Sequence, residues 1–381
     1  MQQEVESGRV DLLSLPADEA ERALAEHFEA RGQRPYRVRQ VRAWLYERDA
    51  VAFAEMTDLP AKERAALAQR FTLAAPELVT AARSSDGTVK HLWRMADGEL
   101  VEAVLIPAGE RLTLCISSQA GCAMACVFCA TGWSGYRRQL SAGEIVSQYR
   151  GARRWLRETG GDVESVTNIV FMGMGEPLMN PKAVFPALTL LNHSYGVGAR
   201  RITVSTVGVV PGIRQLAARS EQFRLAVSLH APNHELRRSI VPIERKYAIP
   251  ELMNALREFE AAGGRRITFE YTMIDSVNDA PELAEQLASL IAEFRAHVNL
   301  IPYNPIPGPD WKPSPMKRIR RFAEVLASRG IEATVREPRG RDIAAACGQL
   351  RAEHATKPPK PYIQLGRKPS NAGTGADSAG S

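Results

Sequence analysis

Four of the five cysteines in this 381-residue chain fall in one stretch, Cys115-Ile-Ser-Ser-Gln-Ala-Gly-Cys122-Ala-Met-Ala-Cys126-Val-Phe-Cys129-Ala-Thr-Gly132. The last three are spaced C-x₃-C-x₂-C, which lets a short loop present three sulfurs to one centre. Thiolates are soft ligands that select zinc or iron–sulfur clusters. The stretch therefore predicts a metal or cluster site on Cys122, Cys126 and Cys129.

The number of sulfurs bears on which site this is. A structural zinc site takes four protein ligands and closes the metal off. A four-iron cluster held by three thiolates keeps one iron without a protein ligand, and S-adenosylmethionine can bind that iron through its amino and carboxylate groups. A zinc knuckle remains the alternative, with Cys115 or a distant histidine as the fourth ligand.

The motif, followed by Ala-Thr-Gly, resembles the radical S-adenosylmethionine superfamily, and the longer string from Cys115 to Gly132 resembles the RlmN/Cfr family of RNA adenine methyltransferases. The resemblance runs from about residue 10 to about residue 350, which is nearly the whole chain. It implies a [4Fe-4S] cluster on the three spaced cysteines and two molecules of S-adenosylmethionine per turnover.

Composition bounds the setting. The chain is 45% hydrophobic and 24% charged, and its length suffices for one large domain and a smaller one. We find no apolar segment typical of a secretory signal and no apolar run of about 18 residues that would span a membrane. Five clustered cysteines suit a reducing cytoplasm better than a disulfide framework. A net charge of +6 and a pI of about 9.1 permit a polyanionic partner.

Residues 1–80 are predicted to form a helical domain with helices over 17–31, 36–48 and 61–71. The second helix is expected to turn inward Tyr36, Val41, Trp44 and Leu45. Its other face and approach carry six arginines: Arg31, Arg34, Arg37, Arg39, Arg42 and Arg48. Such a run is either a solvated face or a phosphate-binding one. The resemblance implies an RNA-binding accessory domain.

Residues 81–110 are predicted to form a β-hairpin extension. The chain alternates over 88–106 and turns at Asp97-Gly98, a strong hairpin signal. Glu102 lies in the second strand among apolar residues. Its carboxylate either sits on the solvent face of an edge strand or, as the resemblance implies, acts as the catalytic base.

Alternating strands and helices over 111–352 predict an α/β fold with a parallel sheet. The expected strands are 112–117, 166–172, 201–206, 223–229, 267–273, 297–302 and 332–336. The expected helices are 141–158, 182–193, 210–218, 250–262, 280–295 and 315–329. This count fits a partial (β/α)₆ barrel, the fold that the resemblance implies. Residues 353–381 are predicted to be a disordered tail.

Polar side chains follow four of these strands, at the end where parallel barrels carry their chemistry. Glu176, in a glycine-rich turn, is suited to bind the ammonium of a ligand. The resemblance implies contacts to S-adenosylmethionine from Gly175, Glu176, Ser205, Ser228, Leu229, His230 and Asn304.

The fifth cysteine, Cys347, lies in an alanine-rich turn, where a buried structural thiol is the default interpretation. The resemblance implies instead that Cys347 carries the methyl group. It also implies that Cys115 attacks the sulfur of Cys347 to release the product, which leaves a Cys115–Cys347 disulfide that a reductant resets.

The resemblance implies a methyltransferase acting on adenine C2 in 23S rRNA, near the peptidyl transferase centre, and in tRNA, at the adenosine 3′ of the anticodon. One alternative is the same chemistry at adenine C8, and another is a non-catalytic zinc protein that binds RNA. We expect a monomer that receives electrons from a donor of the flavodoxin type.

Overall fold

The computed structural model describes residues 8–161 and 166–350. Within them, one ten-stranded sheet runs through both the expected hairpin and the expected barrel. The expected tail over 353–381 lies outside the described residues. Of the helices in the described ranges, none combines the length and apolar character needed to cross a bilayer.

The N-terminal helices lie where the sequence predicts them. They and the strands that bracket them are β1 (Val10–Asp11), α1 (Ala17–Glu29), α2 (Tyr36–Tyr46), α3 (Ala61–Arg70) and β2 (Phe71–Thr72). β1 and β2 pair in parallel and bring the two ends of this unit together. Val41 and Leu45 are fully buried on α2, but Tyr36 is 39% exposed. The prediction that Tyr36 faces inward is wrong, because it opens the first turn of α2.

The arginine-rich face divides into paired and unpaired side chains. Arg31 contacts Glu63 at 2.8 Å, and Arg42 contacts Glu21 at 3.0 Å. Arg34, Arg37, Arg39 and Arg48 form no ion pair within the described ranges. Arg37 donates to Gln40 and Arg48 lies over the Trp44 ring, whereas Arg34 and Arg39 are exposed. The unpaired arginines are therefore the ones with charge to offer a phosphate.

Three antiparallel strands follow, β3 (Glu77–Arg83), β4 (Val89–Arg94) and β5 (Leu100–Ala108). The hairpin of β4 and β5 confirms the prediction, whereas β3 was not expected and crosses the predicted domain boundary at residue 80. β5 also pairs antiparallel with the first barrel strand. The hairpin is thus continuous with the barrel sheet.

The barrel alternates strand and helix as predicted. Its strands and the short pair inserted among them are β6 (Arg111–Cys115), β7 (Gln119–Gly121), β8 (Tyr136–Gln139), β9 (Val166–Phe171), β10 (Ile202–Thr206), β11 (Arg224–Ser228), β12 (Ile267–Met273), β13 (Ala296–Pro302) and β14 (Glu332–Val335). Its helices are α4 (Ala130–Ser134), α5 (Ala142–Glu158), α6 (Pro181–Thr189), α7 (Val210–Ala217), α8 (His234–Ile240), α9 (Ile249–Ala261), α10 (Pro281–Ile291) and α11 (Met316–Ser328).

Strand β6 and strands β9 to β14 are parallel neighbours in chain order. Helices α5, α6, α7, α9, α10 and α11 connect them, so that six strand–helix units precede a last strand within the described ranges. This confirms the partial (β/α)₆ barrel. The short helix α8 was not expected; Asn233 caps its start by accepting a hydrogen bond from the Leu236 N–H.

Helix α5 fixes the N-terminal helices against the barrel. Arg150, 2% exposed, donates to the backbone oxygens of Ala50 and Ala74. Arg153 and Arg157 both pair with the fully buried Asp49. A buried carboxylate is tolerated only when it is paired, so these contacts hold the two units in one arrangement.

Candidate active site

A cavity of about 420 Å³ opens at the C-terminal ends of the barrel strands. Eleven of the thirteen side chains predicted for the site line it: Cys115, Cys122, Cys126, Cys129, Gly175, Glu176, Ser205, Ser228, His230, Asn304 and Cys347. Glu102 and Leu229 do not line it, and both are buried. The strand ends therefore bring together residues that are far apart in sequence, as the barrel geometry predicts.

The three spaced cysteines sit on the loop between β7 and α4. Burial raises the pKa of Cys122 to about 12 and that of Cys126 well above its ordinary value. Ionised thiols in this position need a cationic partner. Among the described residues, no group of three metal-ligating side chains is arranged to hold a metal ion. Three sulfurs that line the same cavity are the soft donor set that an iron–sulfur cluster takes.

The turn after β9 passes very close to β7. Gly175 has a φ of +93°, and a Cβ there would overlap the Cβ of Gln119 and lie 2.6 Å from its Cγ. Only glycine accommodates both the positive φ and the close approach. The Glu176 N–H donates to Gln119 Oε1 at 2.8 Å, which ties the turn to β7.

Glu176 links two strand ends through its carboxylate. One oxygen accepts from the Leu178 N–H at 3.0 Å and the other from the Val207 N–H at 2.9 Å. Burial raises the pKa of Glu176 to about 7, although these hydrogen bonds oppose the rise. The Thr206 side chain is a third partner, but a carboxylate has about four lone-pair sites, so Glu176 can still accept from a ligand ammonium.

His230 follows β11 in a left-handed conformation, with a φ of +60°. Its Nδ1 accepts from the Thr272 N–H at 3.0 Å, which leaves the proton of the neutral ring on Nε2. Burial first, and the charge of Arg237 second, lower the pKa of His230 to about 3. The ring packs against Phe128, which lies on the loop that carries Cys122, Cys126 and Cys129, with ring centroids 4.4 Å apart. His230 therefore presents a neutral N–H donor beside the loop that carries these three cysteines.

Asn304 is engaged by the loop that carries Cys347. Its Nδ2 donates to the Cys347 carbonyl at 3.1 Å, and its Oδ1 accepts from Arg341 Nε at 2.8 Å. The expected contact of Asn304 with S-adenosylmethionine stays a prediction. In this structure the Asn304 amide orients the loop that carries Cys347.

Cys115, at the end of β6, and Cys347 line the same cavity. All five cysteines are free thiols, so the expected disulfide is not formed in this structure. Burial is the main cause that raises the pKa of Cys115, and the nearby Cys347 raises it further. Cys347 is solvent-accessible, yet the surrounding protein and then the Glu270 carboxylate raise the pKa of its thiol.

Glu102 lies on β5 with 2% exposure, so the solvent-face interpretation is wrong. Its Oε1 is 3.0 Å from Lys90 Nζ, and its backbone oxygen accepts from the Ser117 hydroxyl at 2.6 Å. Its role as the base stays a prediction.

Sequence reasoning missed Glu270, Thr272 and Arg336, which also line the cavity. Glu270 Oε1 accepts from Asn299 Nδ2 at 2.9 Å, and burial raises the pKa of its carboxyl. The signal was the alternation of β12, in which Ile267, Phe269, Tyr271 and Met273 are fully buried. The polar residues between them face the barrel interior.

Comparisons with known proteins agree with this geometry. Residues 116–287 match the model of the radical SAM superfamily, and residues 11–73 match the ribosomal RNA large subunit methyltransferase N-terminal domain. The structure resembles the crystal structure of a radical SAM methyltransferase from Sphaerobacter thermophilus, with a TM-score of 0.85 and 47% identity over 90% of this chain and 99% of that one.

Two relatives extend the match over most of the chain. One, from Gemmatimonas aurantiaca, is named a probable dual-specificity RNA methyltransferase RlmN and is 53% identical over 90% of this chain and 93% of its own. The other, from Anaeromyxobacter dehalogenans, is named a dual-specificity RNA methyltransferase RlmN and is 46% identical over 97% of this chain and 98% of its own. The chain therefore belongs to the RlmN family of radical S-adenosylmethionine methyltransferases.

Proposed function

We propose that this enzyme methylates C2 of adenosine in 23S rRNA and in tRNA, with Cys347 as the carrier of the methyl group. The protein is a radical S-adenosylmethionine RNA methyltransferase, and its cofactors are a [4Fe-4S] cluster and S-adenosylmethionine, used twice per turnover. The observation that carries the proposal is the single cavity lined by all five cysteines.

The chemistry explains why five sulfurs are needed. An aromatic C–H carbon is a poor nucleophile, so direct attack on the sulfonium methyl group is unfavourable. The bound cluster supplies the electron that generates a radical from S-adenosylmethionine. Cys122, Cys126 and Cys129 would hold the cluster, whereas Cys115 and Cys347 would handle the carbon.

The remaining roles follow from position and chemistry. Cys347 accepts a methyl group, loses one of its hydrogen atoms to the radical derived from a second S-adenosylmethionine, and adds the resulting carbon radical to adenine C2, which joins protein and RNA covalently. Glu102 accepts the ring proton. Cys115 attacks the sulfur of Cys347, so that a Cys115–Cys347 disulfide replaces the bond between carrier and product. Glu176 would bind the ammonium of S-adenosylmethionine, with Gly175, Ser205, Ser228, Leu229, His230 and Asn304 around the rest of it.

The cellular setting belongs to the proposal. The catalytic disulfide must be reset each cycle, which suits a reducing compartment and hence the cytoplasm. A monomer would receive electrons from a donor of the flavodoxin type. The exposed, unpaired Arg34 and Arg39 on the N-terminal domain offer charge to RNA phosphates.

RNA from cells that lack this gene should have lost 2-methyladenosine from both 23S rRNA and tRNA. Digestion to nucleosides and mass spectrometry against 2-methyl- and 8-methyladenosine standards would measure the loss, and restoring the gene should return it. If the restored cells contained only the 8-methyl isomer, the site of methylation would be C8 and the proposal would fail.

Metal analysis separates the enzyme from a zinc protein that only binds RNA. After anaerobic purification we expect about four iron and four sulfide per chain, as a [4Fe-4S] cluster requires. Replacing Cys126 by serine should remove most of both. Stoichiometric zinc without iron or sulfide would reject the radical mechanism and favour the binding protein.

A further inference from the structure

The loop that carries Cys347 is clasped by the turn between β3 and β4. The Ser84 hydroxyl donates to Asp342 at 2.6 Å, and Asp86 accepts from the Gly340 N–H at 2.9 Å. These two contacts join segments more than 250 residues apart in sequence. The loop that carries Cys347 is therefore held against the turn between β3 and β4.

Lys90, on β4, contacts both the neighbouring strand β5 and the loop that carries Cys347. Its Nζ lies 3.0 Å from Glu102 Oε1 and donates to the Ala344 carbonyl at 3.3 Å. The side chains of Lys90 and Glu102 are 13% and 3% exposed. One ammonium group thus touches the carboxylate proposed as the base and the backbone of the loop three residues before Cys347.

The loop is conformationally demanding at that point. Ala344 has a φ of +49°, a region that residues with a side chain seldom adopt. Such a residue persists only when its surroundings hold it. The Lys90 contact to the Ala344 carbonyl, together with the Ala345 N–H bond to the Gly340 carbonyl at 2.8 Å, supplies that restraint.

A contribution to the stability of the fold does not by itself explain why Lys90 and Glu102 form a buried ion pair. A buried salt bridge adds little net stability, because desolvation of the two charges offsets their attraction. An apolar pair could fill the same volume between β4 and β5. What an apolar pair could not do is hold the Glu102 carboxylate and a carbonyl of the neighbouring loop through one donor group.

We propose that Lys90 is a positioning residue for methyl transfer, which holds the Glu102 carboxylate and the Cys347 loop in one fixed relation. The inference rests on the roles of Glu102 and Cys347 in the proposed function. Lys90 itself transfers no group: Glu102 accepts the ring proton, and Lys90 keeps its own protons throughout.

The test compares Lys90→Met, Lys90→Arg and the exposed control Lys317→Met, each as the full chain with its cluster and a short rRNA substrate. We expect Lys90→Met to slow resolution of the protein–RNA adduct by about 10- to 100-fold, the usual cost of misplacing a catalytic group by about an ångström. Lys90→Arg should recover most of the rate, because it keeps the charge. Lys317→Met should match the wild-type rate.

Because one part of the Lys90 effect passes through Glu102 and the other through the Cys347 loop, a Lys90→Met/Glu102→Gln double variant should be slower than Glu102→Gln alone, but by less than the factor that Lys90→Met costs in the wild type. Resolution is read on denaturing gels as the decay of the protein–RNA species. If the two substitutions multiplied their effects, or if Lys90→Arg were as slow as Lys90→Met, a purely structural role would replace the proposal.

Hydrogen exchange gives a second readout that requires no turnover. Amides over 340–347 should exchange faster in Lys90→Met than in the wild type, Lys90→Arg or Lys317→Met. Unchanged exchange in Lys90→Met would overturn the anchoring of the loop. A wild-type enzyme that made no 2-methyladenosine would contradict the proposed function instead, and the exchange comparison would still decide whether Lys90 anchors the loop.

Discussion

Replacing Cys347 by alanine should lower the rate at which methylated adenosine forms by at least about three orders of magnitude, as for other residues that form a covalent intermediate. In the proposed mechanism this sulfur accepts the methyl group and later delivers its carbon to the base, so its removal stops both steps. The measurement is anaerobic turnover with a short rRNA substrate, followed by nucleoside mass spectrometry. Full turnover by Cys347→Ala would contradict the carrier mechanism.

Cys115→Ala provides the matched comparison, because it removes a thiol from the same cavity at a later step. We expect this variant to methylate Cys347 and then to accumulate a protein–RNA adduct, visible on a denaturing gel. Iron content should equal that of the wild type in both variants, since neither residue belongs to the C-x₃-C-x₂-C motif. Full turnover without Cys115 would remove its assigned role.

Burial raises the pKa of Cys115, so adduct resolution in the wild type should accelerate as the pH rises and more thiolate forms.

Gly175→Ala should cost about 2–5 kcal/mol in the free energy of unfolding, because it combines backbone strain with overpacking. The added Cβ would lie 2.6 Å from Gln119 Cγ, on backbone with a φ of +93°. Relief of this overlap would displace the turn that carries Glu176, so the affinity for S-adenosylmethionine should fall as well. Urea unfolding and equilibrium binding to the reconstituted enzyme measure the two effects.

Gly196→Ala separates the two causes. Gly196 also has a positive φ, +70°, but a Cβ there would meet nothing within 4 Å. Its substitution should cost only about 1 kcal/mol and leave cofactor affinity unchanged. Equal losses at Gly175 and Gly196 would show that strain alone decides, and that the close approach of the turn to Gln119 is unimportant.

The barrel was predictable because its strands and helices differ in period. Buried strands such as Ile267–Met273 are continuous apolar runs or strict alternations, and amphipathic helices separate them. β3 escaped prediction for the opposite reason: none of its seven residues is fully buried, and the order Glu-Leu-Val-Thr-Ala-Ala-Arg does not alternate apolar with polar residues. Its place at the edge of the sheet is set by pairing with β4, which is a tertiary effect.

The site was predictable where a residue follows the end of a strand and less so where it lies within one. Glu176 and His230 stand in loops after strands, where parallel topology brings them together. Glu270 lies inside β12, so its access to the cavity depends on which face of the strand points inward. Glu102 likewise needed the register of β5 against its neighbours before its buried pairing with Lys90 could be known.

The unbroken hydrogen-bond ladder from β3 to β14 limits how this protein can be divided or recombined. Val104 of β5 stands opposite Cys115 of β6, so the strand of the proposed base and that of the proposed resolving thiol are paired in one fixed register. Inserting a single residue into β5 would reverse the faces of its side chains and turn Glu102 away. Cutting the chain near residue 110 and removing the part before it would leave β6 as an edge strand with unpaired backbone N–H and C=O groups. The first third of the chain is thus no detachable module, and a chimera between relatives must inherit both strands from one parent.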